Sequence, residues 1–177
     1  MTVDDNERFR ALFGAHRAAV LAYARRRVDP DAAADVVAET FLVAWRRLDA
    51  VPEDALPWLY GVARKVIGNQ RRAHRRSRAL VDRLGRTGVA EASADSLEHR
   101  YATADALRSA LAGLGERDRE ALRLVAWEGL DPERAARAAG CSRATFAVRL
   151  HRARRRLAAA MQDEHPSPVA LEVPHEA

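Results

Sequence analysis

The chain has 177 residues, 48% of them hydrophobic, enough for one sizeable packed core or two small ones. Thirty lysines and arginines outweigh 25 acids, giving a net charge of +5 that suits a polyanionic partner without demanding one. A lone cysteine, Cys141, excludes an internal disulfide framework and a cysteine-based zinc site; no apolar run is long enough for a bilayer, and the first residues lack a secretory pattern, so a reducing, cytoplasmic setting without membrane insertion is expected.

The first predicted helix covers residues 8–28, with Phe9, Leu12, Phe13, Val20 and Tyr23 on one stripe, and stops at Asp29-Pro30. Asp31 opens a second through Leu48, with Val37, Phe41, Ala44, Trp45 and Leu48 inward. A turn from Asp49 to Pro57 holds two prolines and leads to a third helix starting near Pro57, with Trp58, Leu59, Val62, Ala63 and Val66 inward. That helix runs on into Gln70-Arg71-Arg72-Ala73-His74-Arg75-Arg76-Ser77-Arg78, which is too charged all round to be core. The pattern then fades through Gly85, Thr87, Gly88, Ser93 and Ser96, as in a flexible joint between domains over 85–103. Helices resume at Ala104, with Leu107, Leu111 and Leu114 on one stripe, a break at Gly115, and a further helix from Asp118 to Trp127 through Ala121, Leu122, Val125 and Ala126. Residues 162–177 have little to pack and read as a disordered tail.

The stretch Leu130 to Leu157 reads as a helix-turn-helix. Asp131 can cap a short helix with Pro132 in its first turn, Gly140 can take the left-handed conformation that ends it, and Ser142 can cap the next helix. Phe146, Leu150, Ala153 and Leu157 then repeat as a buried stripe, while Arg143, Ala147, His151, Arg152 and Arg155 fall on the opposite face. An ordinary helical hairpin with a solvated basic face would share the periodicity. The agreement of both caps, the turn glycine and the charge polarity favours a helix built to enter a DNA major groove.

Three segments together resemble a known family. Asp35-Val36-Val37-Ala38-Glu39-Thr40-Phe41-Leu42-Val43-Ala44-Trp45-Arg46 is similar to region 2.2 of the sigma-70 family, Pro57-Trp58-Leu59-Tyr60-Gly61-Val62-Ala63-Arg64 to the start of regions 2.3–2.4, and the helix-turn-helix to region 4.2. Their order in one short chain resembles the extracytoplasmic-function (group 4) sigma factors of bacterial RNA polymerase. The resemblance implies an all-α protein of two small helical domains: a region 2 three-helix bundle over 8–84 and a region 4 domain over 104–161, joined by the flexible linker.

It further implies that the second helix docks on the clamp helices of core RNA polymerase through Asp35, Ala38, Glu39 and Arg46; Ala38 stands where the family usually has glutamine. Tyr60, Arg64, Lys65, Arg71, Arg72, Arg75 and Arg76 are implied to hold the melted minus-10 strand, with cations along the phosphate path and Tyr60 a candidate stacking group. Trp58, on the apolar stripe, is read as core. Lys65 replaces the asparagine often found in this helix, and the preceding loop is short and lacks the usual glycine. For the minus-35 duplex the implied set is Ser142, Arg143, Thr145, Ala147, Val148, Arg149, His151 and Arg152; Ala147 and Val148 offer only apolar contact where the family has a basic and a hydroxyl residue.

Promoter DNA, core polymerase and an anti-sigma factor are thus the implied partners, with no cofactor and no metal. Two other classes compete. A free-standing helix-turn-helix regulator would bind operator DNA without polymerase. An enzyme would need chemistry that His16, His74, His99, His151, His165 and His175 do not offer, since they lack metal-ligand spacing and no phosphate loop or nucleophile motif accompanies them.

Overall fold

The computed structural model describes residues 3–83 and 100–164, among which there are seven α-helices and no strand. Helices α1 (Val3–Arg25), α2 (Pro30–Arg46) and α3 (Ala55–Arg83) form the N-terminal half, with a single 3-10 turn at Leu48–Ala50 between the last two. The C-terminal half contains α4 (Arg100–Gly113), α5 (Glu116–Ala126), α6 (Pro132–Ala139) and α7 (Arg143–Glu164). Region 85–99 of the expected linker and 165–177 of the expected tail lie outside the described residues. The ends of both expectations are corrected, because residues 100–103 already belong to α4 and 162–164 still belong to α7.

The N-terminal half is held by the predicted stripes. Val20 and Tyr23 of α1, Val37, Phe41 and Ala44 of α2, and Leu59, Ala63 and Val66 of α3 are buried. Edge-to-face rings fasten α1 to α2, with Phe13 and Phe41 at 4.8 Å and Phe9 and Trp45 at 4.8 Å between centroids. Such pairs add about 0.5–1.5 kcal/mol each beyond the apolar area they bury. Trp58 is half-buried against this core, in keeping with its place on the stripe. Thr40 is fully buried on α2, and its hydroxyl oxygen has no hydrogen-bond partner.

In the C-terminal half the expected α4 stripe is displaced. Ala106, Ala110 and Leu114 are buried while Leu107 is 38% exposed, because small alanines let α4 lie close to α7 and turn the leucine outward. On α5 the buried positions are Asp118, Ala121 and Leu124, whereas Ala126, expected on the inner stripe, is exposed, as is Trp127 at the end of the helix. The Arg123 guanidinium lies over the Trp127 ring, 5.5 Å from its centroid. That contact gives the ring a partner at the surface.

The two halves also pack on each other. Buried side chains from α1, α2, α3, α5, α6 and α7 form one continuous apolar cluster, and α3 lies against α6. Gly61 permits the approach: a Cβ there would stand 3.4 Å from the Ala138 carbonyl oxygen. Tyr60 and Ile67, on the side of α3 away from the first stripe, are buried as well.

Candidate nucleic-acid interface

Local chemistry fixes the helix-turn-helix. The Asp131 carboxylate accepts from the backbone N–H of Glu133 and Arg134, both at 2.9 Å, and these bonds, the Arg134 one foremost, hold its pKa below the usual carboxylate range. Pro132 occupies the first turn of α6, where no N–H is needed. Gly140 ends the helix at φ 65° and ψ 42°, and the Cys141 N–H closes back on the Ala136 carbonyl at 3.1 Å. At the start of α7 the Ser142 hydroxyl accepts from the Thr145 N–H at 3.2 Å. Phe146, Leu150 and Ala153 seat α7 on this scaffold, being 0%, 6% and 0% exposed.

The opposite face of α7 is open. Ser142, Arg143, Thr145, Ala147, Val148, His151, Arg152 and Arg155 are exposed, and Arg149 is half-buried. Among the described residues Val148 is the most exposed large apolar side chain, at 69%, which leaves a methyl-rich edge beside the arginines. Arg152 is already engaged, with Arg156, by the buried Asp118 carboxylate at 2.8 Å each. The bond from Arg152 is the main reason that Asp118 titrates below the ordinary aspartate range. Cys141 is half-buried and receives the Arg149 guanidinium at 3.7 Å.

On α3, Lys65, Arg72, Arg75 and Arg76 are exposed, while Arg64 and Arg71 are half-buried. Arg64 donates to the Ala138 carbonyl across the halves at 3.3 Å, and Arg71 pairs with Glu116. Tyr60 is 3% exposed and stacks on the Tyr23 ring at 4.7 Å. Burial raises its phenol pKa, and in this arrangement the ring is not open to an unstacked base.

Helix α2 presents a third surface. Asp35, Ala38, Glu39 and Arg46 are exposed on one side, and Leu42, 45% exposed, lies among them. The sequence reading omitted Leu42, although it follows Asp35 by seven residues and therefore shares its face.

The sequence reading also missed the groups that join the halves. Arg27, with its side chain 4% exposed, donates to Glu120 at 2.9 Å and to Glu128 at 2.8 Å, and its guanidinium lies 3.5 Å from the Tyr23 ring centroid. Tyr23 donates to Glu120 at 2.8 Å, and burial followed by the Glu120 charge pushes its phenol well above the usual value. Arg26 pairs with the same fully buried Glu128. On the other flank Asp54 receives Arg134 at 2.8 Å and Arg137 at 2.6 Å. The partners are far apart in sequence and carry no local motif, so periodicity could not reveal them.

A cavity of about 620 Å³ separates α3 from α5 and α7. Arg64, Lys65 and Arg71 line one wall, and Arg123, Arg149 and Arg152 the other. The buried Arg123 Nε has no hydrogen-bond partner, and burial together with nearby Arg27 lowers its pKa. Among the described residues no cluster of side chains could hold a metal ion, and no helix is long and apolar enough to cross a membrane.

These features define an all-helical protein with a basic helix-turn-helix. Comparison with known proteins places it further. The family model described as Sigma-70 region 2 matches residues 12–77, and that described as Sigma-70, region 4 matches residues 104–157. The chain is 32% identical over 158 residues to the ECF RNA polymerase sigma factor SigL of Mycobacterium tuberculosis, covering 87% of this chain and 89% of the relative. Among solved structures it is similar to the sigma factor RpoE in complex with the anti-sigma factor NepR from Bartonella quintana, at 27% identity and a TM-score of 0.62 over 87% of this chain and 96% of that one. It is similar also to CnrH in complex with the cytosolic domain of CnrY, at 25% identity and a TM-score of 0.60 over 88% of each chain. The chain belongs to the extracytoplasmic-function sigma factors of the sigma-70 family.

Proposed function

We propose that residues 8–84 dock on core RNA polymerase and hold the separated minus-10 strand, while residues 104–161 read the minus-35 duplex. The observation that carries this reading is α7, a basic helix open on one face and seated on a capped apolar scaffold. Its arginines suit phosphate oxygens and guanine edges, and Val148 suits a thymine methyl. On α3, Lys65, Arg72, Arg75 and Arg76 form an exposed cationic path for single-stranded phosphates, extended by Arg64 and Arg71 once they are released. On α2, Asp35 and Glu39 offer carboxylates to basic residues of the polymerase clamp helices, with Ala38 and Leu42 as apolar contact and Arg46 closing the edge.

The chain then acts in the cytoplasm as a specificity subunit with no catalytic chemistry of its own, and it directs initiation only while polymerase holds it. The solved relatives bound to NepR and CnrY support an anti-sigma factor as a further partner. The test is reconstituted transcription. Purified chain added to core enzyme should start transcripts at specific promoters, and core that initiates no better with the chain than without it overturns the proposal. Tight operator binding by the chain alone would instead favour a free-standing regulator.

A further inference from the structure

We infer that the cavity between α3, α5 and α7 is a binding site for a small condensed phosphate, a short chain of phosphoryl groups either free or carried by a nucleoside. Eleven lysine and arginine side chains border it against three acids. The acids are already engaged: Glu120 takes Arg27, Glu116 takes Arg71, and Asp118 takes Arg152 and Arg156. Two further cations rest on backbone oxygens, Arg119 on the carbonyls of Leu111, Ala112 and Leu114, and Arg64 on that of Ala138. Lys65, Arg72, Arg117, Arg123 and Arg149 remain, and among the described residues none of these five has a carboxylate partner. Arg72 has only the Asn69 amide oxygen and Arg149 only the Cys141 sulfur.

Arg123 registers the surplus. Its Nε is buried without a hydrogen-bond partner, and its pKa is lowered first by burial and then by the charge of Arg27, with Arg119 and Arg71 adding to it. A guanidinium so placed gains both a partner and a counter-charge when an anion enters. The five unpaired cations stand on three helices around one concavity, so a compact anion of several charges meets more of them at once than a monovalent ion can. Arginine forks match pairs of phosphoryl oxygens. At about 620 Å³ the space is of small-ligand size, and a DNA duplex is too broad to enter it. Ile67, Gly68 and Ala139 add an apolar part of the lining suited to a nucleobase.

Calorimetric titration of the full-length chain with sodium tripolyphosphate, at an ionic strength of about 0.15 M and without divalent metal, tests the site. One molecule is expected to bind per chain, with a Kd on the order of 10 μM. Lys65→Gln/Arg123→Gln is expected to weaken binding at least about tenfold. Gly68→Glu sets a carboxylate in the lining, in ordinary contact with Arg72 at 3.8 Å, and is expected to weaken binding as strongly by answering the cations from within. Glutamate is the better helix former, so helix content by circular dichroism should stay at the parent level. Arg10→Gln/Arg17→Gln removes the same charge from the exposed side of α1 and is expected to change Kd by less than about twofold. No binding, several weak sites per chain, or an equal loss in both double variants overturns the site. A parallel titration with GTP separates the sources: affinity no better than that of tripolyphosphate assigns the free condensed phosphate, tighter affinity assigns the nucleotide, and either result supports the site. Neither titration involves polymerase or promoter, so their failure leaves the sigma reading standing and a failure of transcription leaves the site standing.

Discussion

Replacing Gly140 by alanine separates two costs that meet at one residue. The backbone there sits at φ 65°, where a Cβ costs about 1–2 kcal/mol. Reduced freedom of the unfolded chain returns about 0.4–1 kcal/mol, leaving a local cost near 1 kcal/mol. The new Cβ also stands 3.0 Å from the Arg64 guanidinium, so that flexible side chain must give way by a few tenths of an ångström and weaken its bond to the Ala138 carbonyl, about 0.5–1 kcal/mol more. In the parent chain Gly140→Ala should therefore cost about 1.5–2 kcal/mol and lower Tm by about 3–8 °C. In an Arg64→Ala background the cost should fall to about 1 kcal/mol, the difference being the coupling of a double-mutant cycle. Gly140→Asn keeps the contact with Arg64 but relieves the backbone, and should fall between glycine and alanine. Urea and thermal unfolding followed by circular dichroism measure all three. A neutral Gly140→Ala refutes the left-handed turn; an equal cost with and without Arg64 refutes contact between the halves in solution.

Acid should weaken the anchor of α7 through Asp118. Its native pKa is lowered, chiefly by the bond from Arg152, so its contribution to stability is whole above the ordinary aspartate value of about 3.9 and is lost as pH falls through the lowered native value; Asp118→Asn should remove this step from stability measured against pH. Reversing Asp35 and Glu39 to lysine should weaken binding to core polymerase by about tenfold or more in a fluorescence titration while helix content stays unchanged. Arg149→Ala should reduce the salt dependence of promoter binding by about one phosphate contact, whereas Val148→Ala should alter base preference at one position with the salt slope unchanged.

Much of the fold was legible because helices write their inner faces at regular spacing. The ring-bearing stripes of α1 and α2 and the caps Asp131, Gly140 and Ser142 are local features, and each recurs in the structure where the pattern put it. Reading failed where a face had two neighbours. Tyr60 lies outside the stripe that packs on α1 and α2, which made it a candidate for stacking on a base, yet it is buried beside Tyr23 and close to charges from the other half. Leu107 failed for another reason: leucine outranks alanine in any hydrophobic stripe, but a close crossing selects the smaller residue. Arg27, Glu120 and Glu128 are charged residues that a single sequence assigns to solvent, and only the meeting of distant helices gives them a buried site.

Helix α2 keeps its outer flank clear while Arg71 of α3 and Arg152 and Arg156 of α7 are held by the carboxylates of α5. Asp35, Glu39 and the half-open Leu42 are as accessible in the folded-up chain as any partner would need. A partner that grips this flank therefore need not break a single one of those ion pairs first.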